Sequence, residues 1–308
     1  MPQHPPLALS RVALVRAALI VNPSSSRVTP ELAAAVEREL GADGHLQTAL
    51  TERSGHAVEL AEAMAQRVER LYVFSGDGVY NEVVNGLVGA TPVGFVPGGG
   101  TSVLPRALGL PRDPVECARV LARSQKTRRI SLGRVNGRRF TFSAGLGLDA
   151  ELVRRVDALG RESGRRPGDL AFVATLARLL AAHGGRFEET LTILGRGRAA
   201  FALVANGDPY SYVGPLPIHV APDARFELGL DLVAPTRLRM RQFPRVLFWL
   251  LARPSHTHVP WITHIHDVDE IRIECDGPTP LQVDGEDLGD VTDAHFETER
   301  GVLNVLVG

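Results

Sequence analysis

The chain has 308 residues, of which 44% are hydrophobic, so it can bury a sizeable core and its length favours two domains over one. Its formal net charge of −1 gives no overall attraction to nucleic acid, and nucleic acid is therefore not expected as a partner. The sequence has no uninterrupted apolar run of about 18 residues, the length that a membrane-spanning helix needs, so any membrane contact is expected to be peripheral.

The first predicted domain covers residues 17–133 and follows a tail at residues 1–16. Short apolar runs alternate there with helical periods, which is the pattern of βα units around a parallel sheet. Strands are predicted at 17–21, 46–50, 71–74 and 93–96, and helices at 31–40, 56–68 and 79–87. Thr29 is a candidate N-cap for the first helix, with Pro30 as its N1 residue and Gly41 at its end.

The second predicted domain covers residues 134–300 and is β-rich. Val135-Asn136-Gly137-Arg138 is a typical hairpin sequence, and many short β-type segments follow between Gly, Pro and Asp clusters. Helices are predicted at 149–159, 169–182 and 243–252, and a final strand at 302–307, within the closing segment 301–308, could join either sheet. The predicted fold class is an α/β N-terminal domain with a parallel sheet plus a β-rich C-terminal domain.

Two predicted strands end in glycine-rich turns, and the first turn is Ser75-Gly76-Asp77-Gly78. Glycine lets the backbone approach a phosphate closely, and the N–H groups at the start of the following helix point toward it. An aspartate there would repel phosphate unless it binds Mg²⁺, orders a basic side chain or accepts a proton during phosphoryl transfer. A purely structural alternative is a tight strand-to-helix turn capped by Asp77.

The standard phosphate-binding motifs do not account for this turn. The only lysine of the chain is Lys126, and its neighbours Gln125 and Thr127 do not form a P-loop. The catalytic-loop and activation-loop motifs of protein kinases are also missing. Any phosphate is therefore expected to be held by backbone N–H groups and arginine.

Several blocks of sequence follow one another in a characteristic order. They are Asn22-Pro23 with the serines at 24–26, SGDGVYNEVVNGL at 75–87, VPGGGTSVLPRAL at 96–108 and Val-Asp-Gly-Glu at 283–286; Thr51-Glu52-Arg53, His56-Ala57 and the GLGLD segment at 145–149 also match. From about residue 17 to about residue 300, this series resembles the diacylglycerol kinase catalytic family, whose relatives include sphingosine kinases and bacterial lipid kinases.

The resemblance implies a cleft between the two domains, in which ATP lies across the glycine turns with Mg²⁺ as a cofactor. The implied nucleotide contacts are Asn22, Thr51, Ser75, Gly76, Asp77, Gly78, Asn81, Glu82, Gly99, Gly100 and Thr101. Asp77 is also the implied metal ligand.

The same resemblance implies a carboxylate general base, because a lipid hydroxyl must lose its proton as it attacks. Glu286, Asp284 and Asp77 are the candidates, and Glu286 is favoured over the other two. Without the resemblance, residues 283–287 would be interpreted as a surface hairpin turn.

Asp149 has two interpretations. In sphingosine kinases the aspartate at the matching place recognises the lipid head group, so the resemblance implies a substrate contact. The alternative is an N-cap for the helix predicted at 149–159. One or two of the arginines that follow could hold phosphate from the second domain; they are Arg154, Arg155, Arg161, Arg165 and Arg166.

Three positions depart from the family pattern. Val79 stands where many bacterial relatives carry threonine, and Ser102 stands where asparagine is common. Residues 226–229 lack the Asp-Asp-Gly sequence with which bacterial diacylglycerol kinases often hold a structural Mg²⁺, so this second metal is not expected.

Segment 237–253 combines basic and aromatic residues in a helical pattern, among them Arg237, Arg245, Phe248 and Trp249. Such a helix can lie in an anionic membrane interface, although an apolar face of this kind also suits a protein core. Two H-x-H pairs follow, at 256–258 and 264–266; their spacing matches no strong zinc signature, and no transition metal is assigned.

The favoured function is an ATP-dependent lipid kinase that phosphorylates diacylglycerol or a similar lipid at a membrane surface. The alternatives are a sphingoid-base or other lipid kinase, a NAD kinase-like enzyme with a soluble substrate, and a nucleotide-binding regulator without catalysis. Cys117 and Cys275 lie far apart without metal-ligand spacing, which indicates reduced thiols and a cytoplasmic protein that meets the inner membrane face peripherally. The sequence indicates no oligomeric state.

Overall fold

The computed structural model describes residues 15–42, 44–163, 169–184, 187–237, 239, 242–252 and 255–308. Its first part is built on the four parallel strands Val15–Val21 (β1), Leu46–Leu50 (β2), Val68–Ser75 (β3) and Val93–Pro97 (β4). They lie side by side in the order β4, β3, β1, β2. β4 and most of β3 are buried, as expected for a parallel sheet with helices on both faces.

The helices of this part are Pro30–Leu40 (α1), His56–Ala65 (α2), Asp77–Gly86 (α3), Val103–Ala107 (α4) and Pro114–Arg123 (α5). The start of α1 confirms the predicted cap, because Thr29 Oγ1 accepts the backbone N–H of Leu32 at 3.2 Å. The helix predicted at 56–68 is too long. It ends at Ala65, since Val68 already belongs to β3, where it pairs with Val15.

The second part begins with the strands Thr127–Val135 (β5), Arg138–Phe140 (β6) and Ser143–Leu146 (β7), followed by the helices Leu148–Ser163 (α6) and Asp169–Ala182 (α7). Short strands follow at Leu191–Ile193 (β8), Gly197–Ala199 (β9), Ala202–Ala205 (β10), Ser211–Val213 (β11), Leu216–Ile218 (β12) and Leu230–Pro235 (β13). The last elements are the helix Phe243–Leu251 (α8) and the strands Ile262–Val268 (β14), Glu270–Val283 (β15) and Glu286–Leu306 (β16).

Two tight hairpins form where the sequence predicts them. Asn136 and Gly137 connect β5 to β6 with φ angles of 47° and 88°. Asp284 and Gly285 connect β15 to β16 with φ angles of 49° and 80°. Positive φ at both central residues is the geometry of a two-residue turn between twisted strands, which explains the Asn-Gly and Asp-Gly sequences.

Within the described part of the chain, fourteen strands form one continuous sheet, and β16 joins its two halves. β16 pairs with β15 and β5 in antiparallel fashion and meets β4 in parallel through Val305 and Val93. The strand predicted at 302–307 is therefore the end of β16 and belongs to both halves. The division of the chain into domains near residue 133 stays a prediction.

No described helix combines the length and the apolar character that crossing a bilayer would require.

Candidate active site

The carboxyl ends of the four parallel strands gather most of the predicted nucleotide contacts at one edge of the sheet. Asn22 follows β1, Thr51 follows β2, Ser75 ends β3, and the turn that contains Gly99 follows β4. Ligands of open α/β sheets bind outside this edge. The residues predicted to contact the nucleotide thus lie together in one region of the fold.

The two glycine turns touch each other through their backbones. A Cβ atom on Gly99 would lie 2.8 Å from the Cα of Gly76, and a Cβ on Gly76 would lie 3.2 Å from the Cα of Gly99. A contact under 3.0 Å forces a shift, and one at 3.2 Å is tighter than nine in ten real Cβ contacts. Packing therefore requires glycine at position 99 and favours it at position 76.

Gly78 and Gly100 have a different environment. Apart from the chain neighbours and the backbone of α3, no heavy atom of the described residues lies within 4 Å of a Cβ placed on Gly78, and a Cβ on Gly100 would meet Ser26 Oγ at 3.9 Å. Packing within the chain does not demand glycine at either position. The free space above them is where a ligand could approach the backbone.

Helix α3 starts directly at the first turn. Its N-cap residue is Gly76, which has no side chain to cap the helix. The N–H groups of the first turn of a helix and the helix dipole favour an anion at this end. The start of α3 and the free space above Gly78 together form a cradle suited to phosphate.

Asp77 ties the two turns together. Its carboxylate accepts the backbone N–H groups of Val103 at 3.0 Å and of Leu104 at 3.2 Å. Ser102, the N-cap residue of α4, makes no capping hydrogen bond through its own side chain, so Asp77 takes over that function. Asp77 therefore caps α4, a helix that the sequence interpretation of this turn did not include.

Tyr80 and two serines hold the strand ends, and sequence reasoning singled out none of these contacts. The buried hydroxyl of Tyr80 lies 2.7 Å from the carbonyl oxygen of Ser75 and 2.6 Å from that of Val96, which joins the ends of β3 and β4. Burial raises the pKa of Tyr80 well above its usual range, so the hydroxyl stays a donor. The Oγ atoms of Ser25 and Ser75 lie 2.8 Å apart. Tyr80 stands in the 75–87 block, which could have pointed to it.

Glu82 and Thr51 shape the loop after β2. The carboxylate of Glu82 accepts the backbone N–H groups of Gly55 at 2.9 Å and of Ala57 at 3.2 Å, and so it caps the start of α2. Thr51 is buried, and its backbone N–H donates to the carbonyl of Val21. Glu82 thus positions the loop between β2 and α2, which contains Thr51.

Asn81 connects α3 to the second half of the molecule. Its amide group donates to the carbonyl oxygen of Arg139 and to Oδ2 of Asp284, both at 2.9 Å. Both Asn81 and Asp284 are buried. This pair fixes the β15–β16 hairpin against the helix that begins at the first glycine turn.

Asp284 is saturated with donors. Within the described residues its carboxylate accepts five hydrogen bonds, one from Asn81, two from Thr141, one from Phe142 and one from Ser143. Burial raises the pKa of Asp284, and these hydrogen bonds act in the opposite direction. A carboxylate has about four lone-pair positions, so little capacity is left to take a proton from a substrate. Asp284 therefore suits a structural role better than that of a base.

Glu286 is the first residue of β16, on the other side of the same turn. Its side chain is 45% exposed and lies 3.5 Å from the guanidinium of Arg138. Burial raises the pKa of Glu286, Arg138 lowers it, and the negative charges of Glu82, Asp157 and Asp284 raise it further. An accessible carboxylate with a raised pKa that faces α3 has the properties of a general base.

Asp149 is held by hydrogen bonds from two distant parts of the second half of the molecule. It is the second residue of α6, and its carboxylate accepts the hydroxyl of Tyr210 at 2.6 Å and the amide of Gln282 at 2.7 Å, so the N-cap interpretation is wrong. Burial raises the pKa of Asp149, and both hydrogen bonds lower it. A Cβ on Gly145 would lie 2.1 Å from the Asp149 carboxylate, which explains the glycine at that place in the GLGLD segment.

Gln282 continues this chain of contacts toward the hairpin. Its side-chain oxygen accepts the backbone N–H of Gly285 at 2.8 Å. Asp149, Gln282 and Gly285 therefore link α6 to the turn that carries Glu286. Sequence reasoning did not single out Gln282 or Tyr210, and the 283–286 motif begins just after the former.

Of the arginines named from the sequence, two have described contacts. Arg154 pairs with Asp287 at 2.8 Å and with Asp290 at 2.7 Å, and Arg155 pairs with Glu151 on the same helix. The side chain of Arg161 and all of residues 165 and 166 lie outside the described part. In the part that is described, no group of three His, Cys, Asp or Glu side chains is arranged to hold a metal ion.

Two family models match the chain in succession. The model described as the diacylglycerol kinase catalytic domain matches residues 16–135. The model described as the YegS C-terminal NAD kinase beta sandwich-like domain matches residues 143–307, which is more than half of the chain.

Curated relatives match part of the chain. A diacylglycerol kinase of Bacillus subtilis (strain 168) is 35% identical over 144 residues, which are 45% of this chain and 48% of that protein. A diacylglycerol kinase of Staphylococcus carnosus (strain TM300) is 31% identical over 134 residues, 41% of this chain and 42% of that protein. The matched region of the chain thus spans less than half the length of each of these curated relatives.

Solved structures match nearly the whole chain. The crystal structure of a diacylglycerol kinase from Bacillus anthracis str. Sterne covers 97% of this chain and 99% of that chain with a TM-score of 0.69 at 20% sequence identity. Another crystal structure from the same organism has a TM-score of 0.75 at 21% identity, with the same coverage. At this level of identity the likeness shows a shared fold.

Proposed function

Since the chain belongs to the diacylglycerol kinase catalytic family, we propose that it transfers the γ-phosphoryl group of ATP to a hydroxyl group of diacylglycerol or a similar lipid. The observation that supports this proposal most is the phosphate cradle at the carboxyl edge of the parallel sheet, with Glu286 held near α3. Substrate, nucleotide, metal and base are all parts of the proposal.

The cradle would bind the phosphates of ATP through backbone groups. Gly78 and Gly100 leave free space above their backbones, and the start of α3 offers N–H groups and the positive end of its dipole. Positioning and electrostatic stabilisation supply most of the catalysis in phosphoryl transfer. A rigid backbone cradle, fixed by Asp77 and Tyr80, meets both requirements.

Glu286 would act as the general base. The lipid hydroxyl oxygen forms a bond to the γ-phosphorus while the bond from that phosphorus to the β–γ bridging oxygen breaks, and ADP leaves with this oxygen. The carboxylate of Glu286 accepts the hydroxyl proton. Asp284, whose oxygens accept buried donors, would hold the turn in position for this transfer.

Mg²⁺ enters the proposal together with ATP. The ion commonly uses one or two carboxylates plus substrate phosphates and water, so a preformed cage of protein ligands is not needed. It would neutralise charge on the transferring group, and Asp77 at the base of the cradle is the proposed protein ligand.

The test is ADP release by the purified protein on mixed micelles with and without diacylglycerol. We expect lipid-dependent release that falls at least about 100-fold in Glu286→Gln, because general base catalysis contributes about 10²–10⁴-fold. ATP affinity, measured by calorimetry with a non-hydrolysable analogue, should stay unchanged in that variant. Glu297→Gln, on the same strand β16, is the matched control and should retain wild-type turnover.

Two results would contradict the proposal. ADP release that requires a soluble acceptor and ignores lipid would indicate a NAD kinase-like enzyme. Nucleotide binding without turnover on any lipid would indicate a regulator.

A further inference from the structure

Large apolar side chains are exposed on two adjoining elements of the second half. Val213 and Leu216 lie at the tip of hairpin β11–β12 and are 37% and 54% exposed, and Phe248 on α8 is 56% exposed. The hairpin and the helix are joined, because the backbone N–H of His219 donates to the carbonyl of Leu250 at 2.8 Å. Exposed apolar residues gathered in this way mark an interaction surface.

Helix α8 has an inner and an outer face. Val246 packs inward against the buried pair Ala200 and Phe201, whereas Arg245 and Phe248, three residues apart, are exposed on the outer face. Trp249 lies between the faces, with its ring stacked near that of Trp261 at 6.4 Å and the guanidinium of Arg245 5.2 Å from its centroid. The inner face of α8 therefore fits the protein-core interpretation of segment 237–253, and its outer face fits the membrane-interface interpretation.

The chain segment that contains α8 carries charge of a single sign. Residues 232–266 include five arginines and no aspartate or glutamate; the arginines are Arg237, Arg239, Arg241, Arg245 and Arg253. Arg237, Arg239 and Arg245 are exposed, while residues 241 and 253 lie outside the described part. Phe248 and Arg245 side by side on the outer face of α8, with further exposed arginines just before the helix, fit the interface of an anionic bilayer. A symmetric contact with a second copy would bring the same arginines together and is disfavoured.

The surface is also connected to the candidate active site. Tyr210, just before β11, donates its hydroxyl to Asp149 at 2.6 Å. The ring of Tyr212 lies 3.4 Å from the guanidinium of Arg106 on α4, the helix that Asp77 caps. Hairpin β11–β12 therefore contacts α4 through Tyr212, and Tyr210, the residue directly before the hairpin, contacts the proposed substrate residue.

We propose that the tip of hairpin β11–β12 and the outer face of α8 form a docking surface for an anionic lipid bilayer. Val213, Leu216 and Phe248 enter the interfacial region, and the arginines meet lipid phosphate groups. Docking on this surface would present a lipid head group near Asp149, and this further step rests on the proposed function. The docking itself does not depend on the proposed function.

The test is co-sedimentation of the full chain, without nucleotide, with vesicles of phosphatidylcholine containing phosphatidylglycerol and with vesicles of phosphatidylcholine alone. The wild type should prefer the anionic vesicles by about fivefold for each arginine that reaches the surface. The double variant Leu216→Ser, Phe248→Ser should bind at least about tenfold more weakly, given the transfer free energy of these side chains. The matched control is Leu194→Ser, a residue 46% exposed on the turn after β8, which should bind like wild type.

Circular dichroism checks that the variants fold, and Arg239→Glu tests the surface through charge alone should the double variant not fold. The proposal would be overturned if the folded double variant bound anionic vesicles as tightly as the wild type. It would also be overturned if the wild type bound both vesicle types equally, or if Arg239→Glu left vesicle binding unchanged. A dimer that light scattering finds in the wild type but not in the double variant would make a second copy the occupant and overturn it too.

Activity on dispersed short-chain diacylglycerol separates this proposal from the proposed function. Phosphorylation of the dispersed lipid without vesicle binding would refute docking alone. Vesicle binding without any lipid phosphorylation would refute the kinase function and leave docking supported.

Discussion

Replacing Asp284 by asparagine is expected to destabilise the fold rather than remove a base. In the wild type, Oδ2 accepts Asn81 and the N–H and hydroxyl of Thr141, and Oδ1 accepts the N–H groups of Phe142 and Ser143. In Asp284→Asn one oxygen becomes an NH₂ group that can only donate, so at least two buried donors lose their acceptor. At about 1–3 kcal/mol for each unsatisfied group, the free energy of unfolding should fall by about 2–6 kcal/mol.

Urea unfolding followed by circular dichroism measures this loss, with Glu286→Gln as the comparison. Glu286 is half-exposed and its ion pair with Arg138 is long, so its replacement should change the free energy of unfolding by no more than about 0.5 kcal/mol. Domains are typically stable by about 5–15 kcal/mol, so the loss expected for Asp284→Asn is a large part of the total, whereas the change expected for Glu286→Gln is a small part. A wild-type unfolding midpoint for Asp284→Asn together with abolished turnover would contradict the structural role of Asp284 and make it the base.

Three further predictions concern the cradle and the base. Glu286 must be ionised to accept a proton and burial raises its pKa, so kcat/KM should increase with pH through a pKa above the ordinary glutamate value; a profile without this acid limb would remove Glu286 from the role. Gly99→Ala should lower the melting temperature and abolish ATP binding because its Cβ meets backbone, whereas Gly78→Ala should keep the wild-type melting temperature and weaken ATP binding; equal melting temperatures for the two variants would contradict the packing difference. Asp77→Ala should cost about 1–2 kcal/mol of stability through the lost cap of α4 and also weaken ATP binding in calorimetry; unchanged affinity would exclude Asp77 from the nucleotide site.

The parts of the fold that were predictable from sequence depend on local chemistry. Thr29 caps α1 through a residue three positions away, and Asn136-Gly137 adopts the positive φ angles that its turn requires. The parallel strands show continuous apolar runs because both faces of the sheet are covered. The end of α2 was not predictable, since Gln66 and Arg67 interrupt the helix without a glycine or proline signal.

The arrangement of the candidate site depends on contacts that periodicity does not contain. Asn81 and Asp284 are 203 positions apart and meet only because β16 joins the two halves of the sheet. Asp77 caps a helix that starts 26 residues later, and Asp149 reaches Gln282 rather than its own helix end. The motifs identified these residues, whereas their partners, and hence the contrast between Asp284 and Glu286, required the structure.

The most direct test of the central claim is mass spectrometry of lipid products after incubation of the protein with a total lipid extract and γ-labelled ATP. We expect a labelled phosphomonoester of diacylglycerol or a similar lipid, formed by the wild type and by Glu297→Gln but not by Glu286→Gln. Absence of any labelled lipid, with the nucleotide still bound or the label transferred to a soluble product, would contradict the central claim.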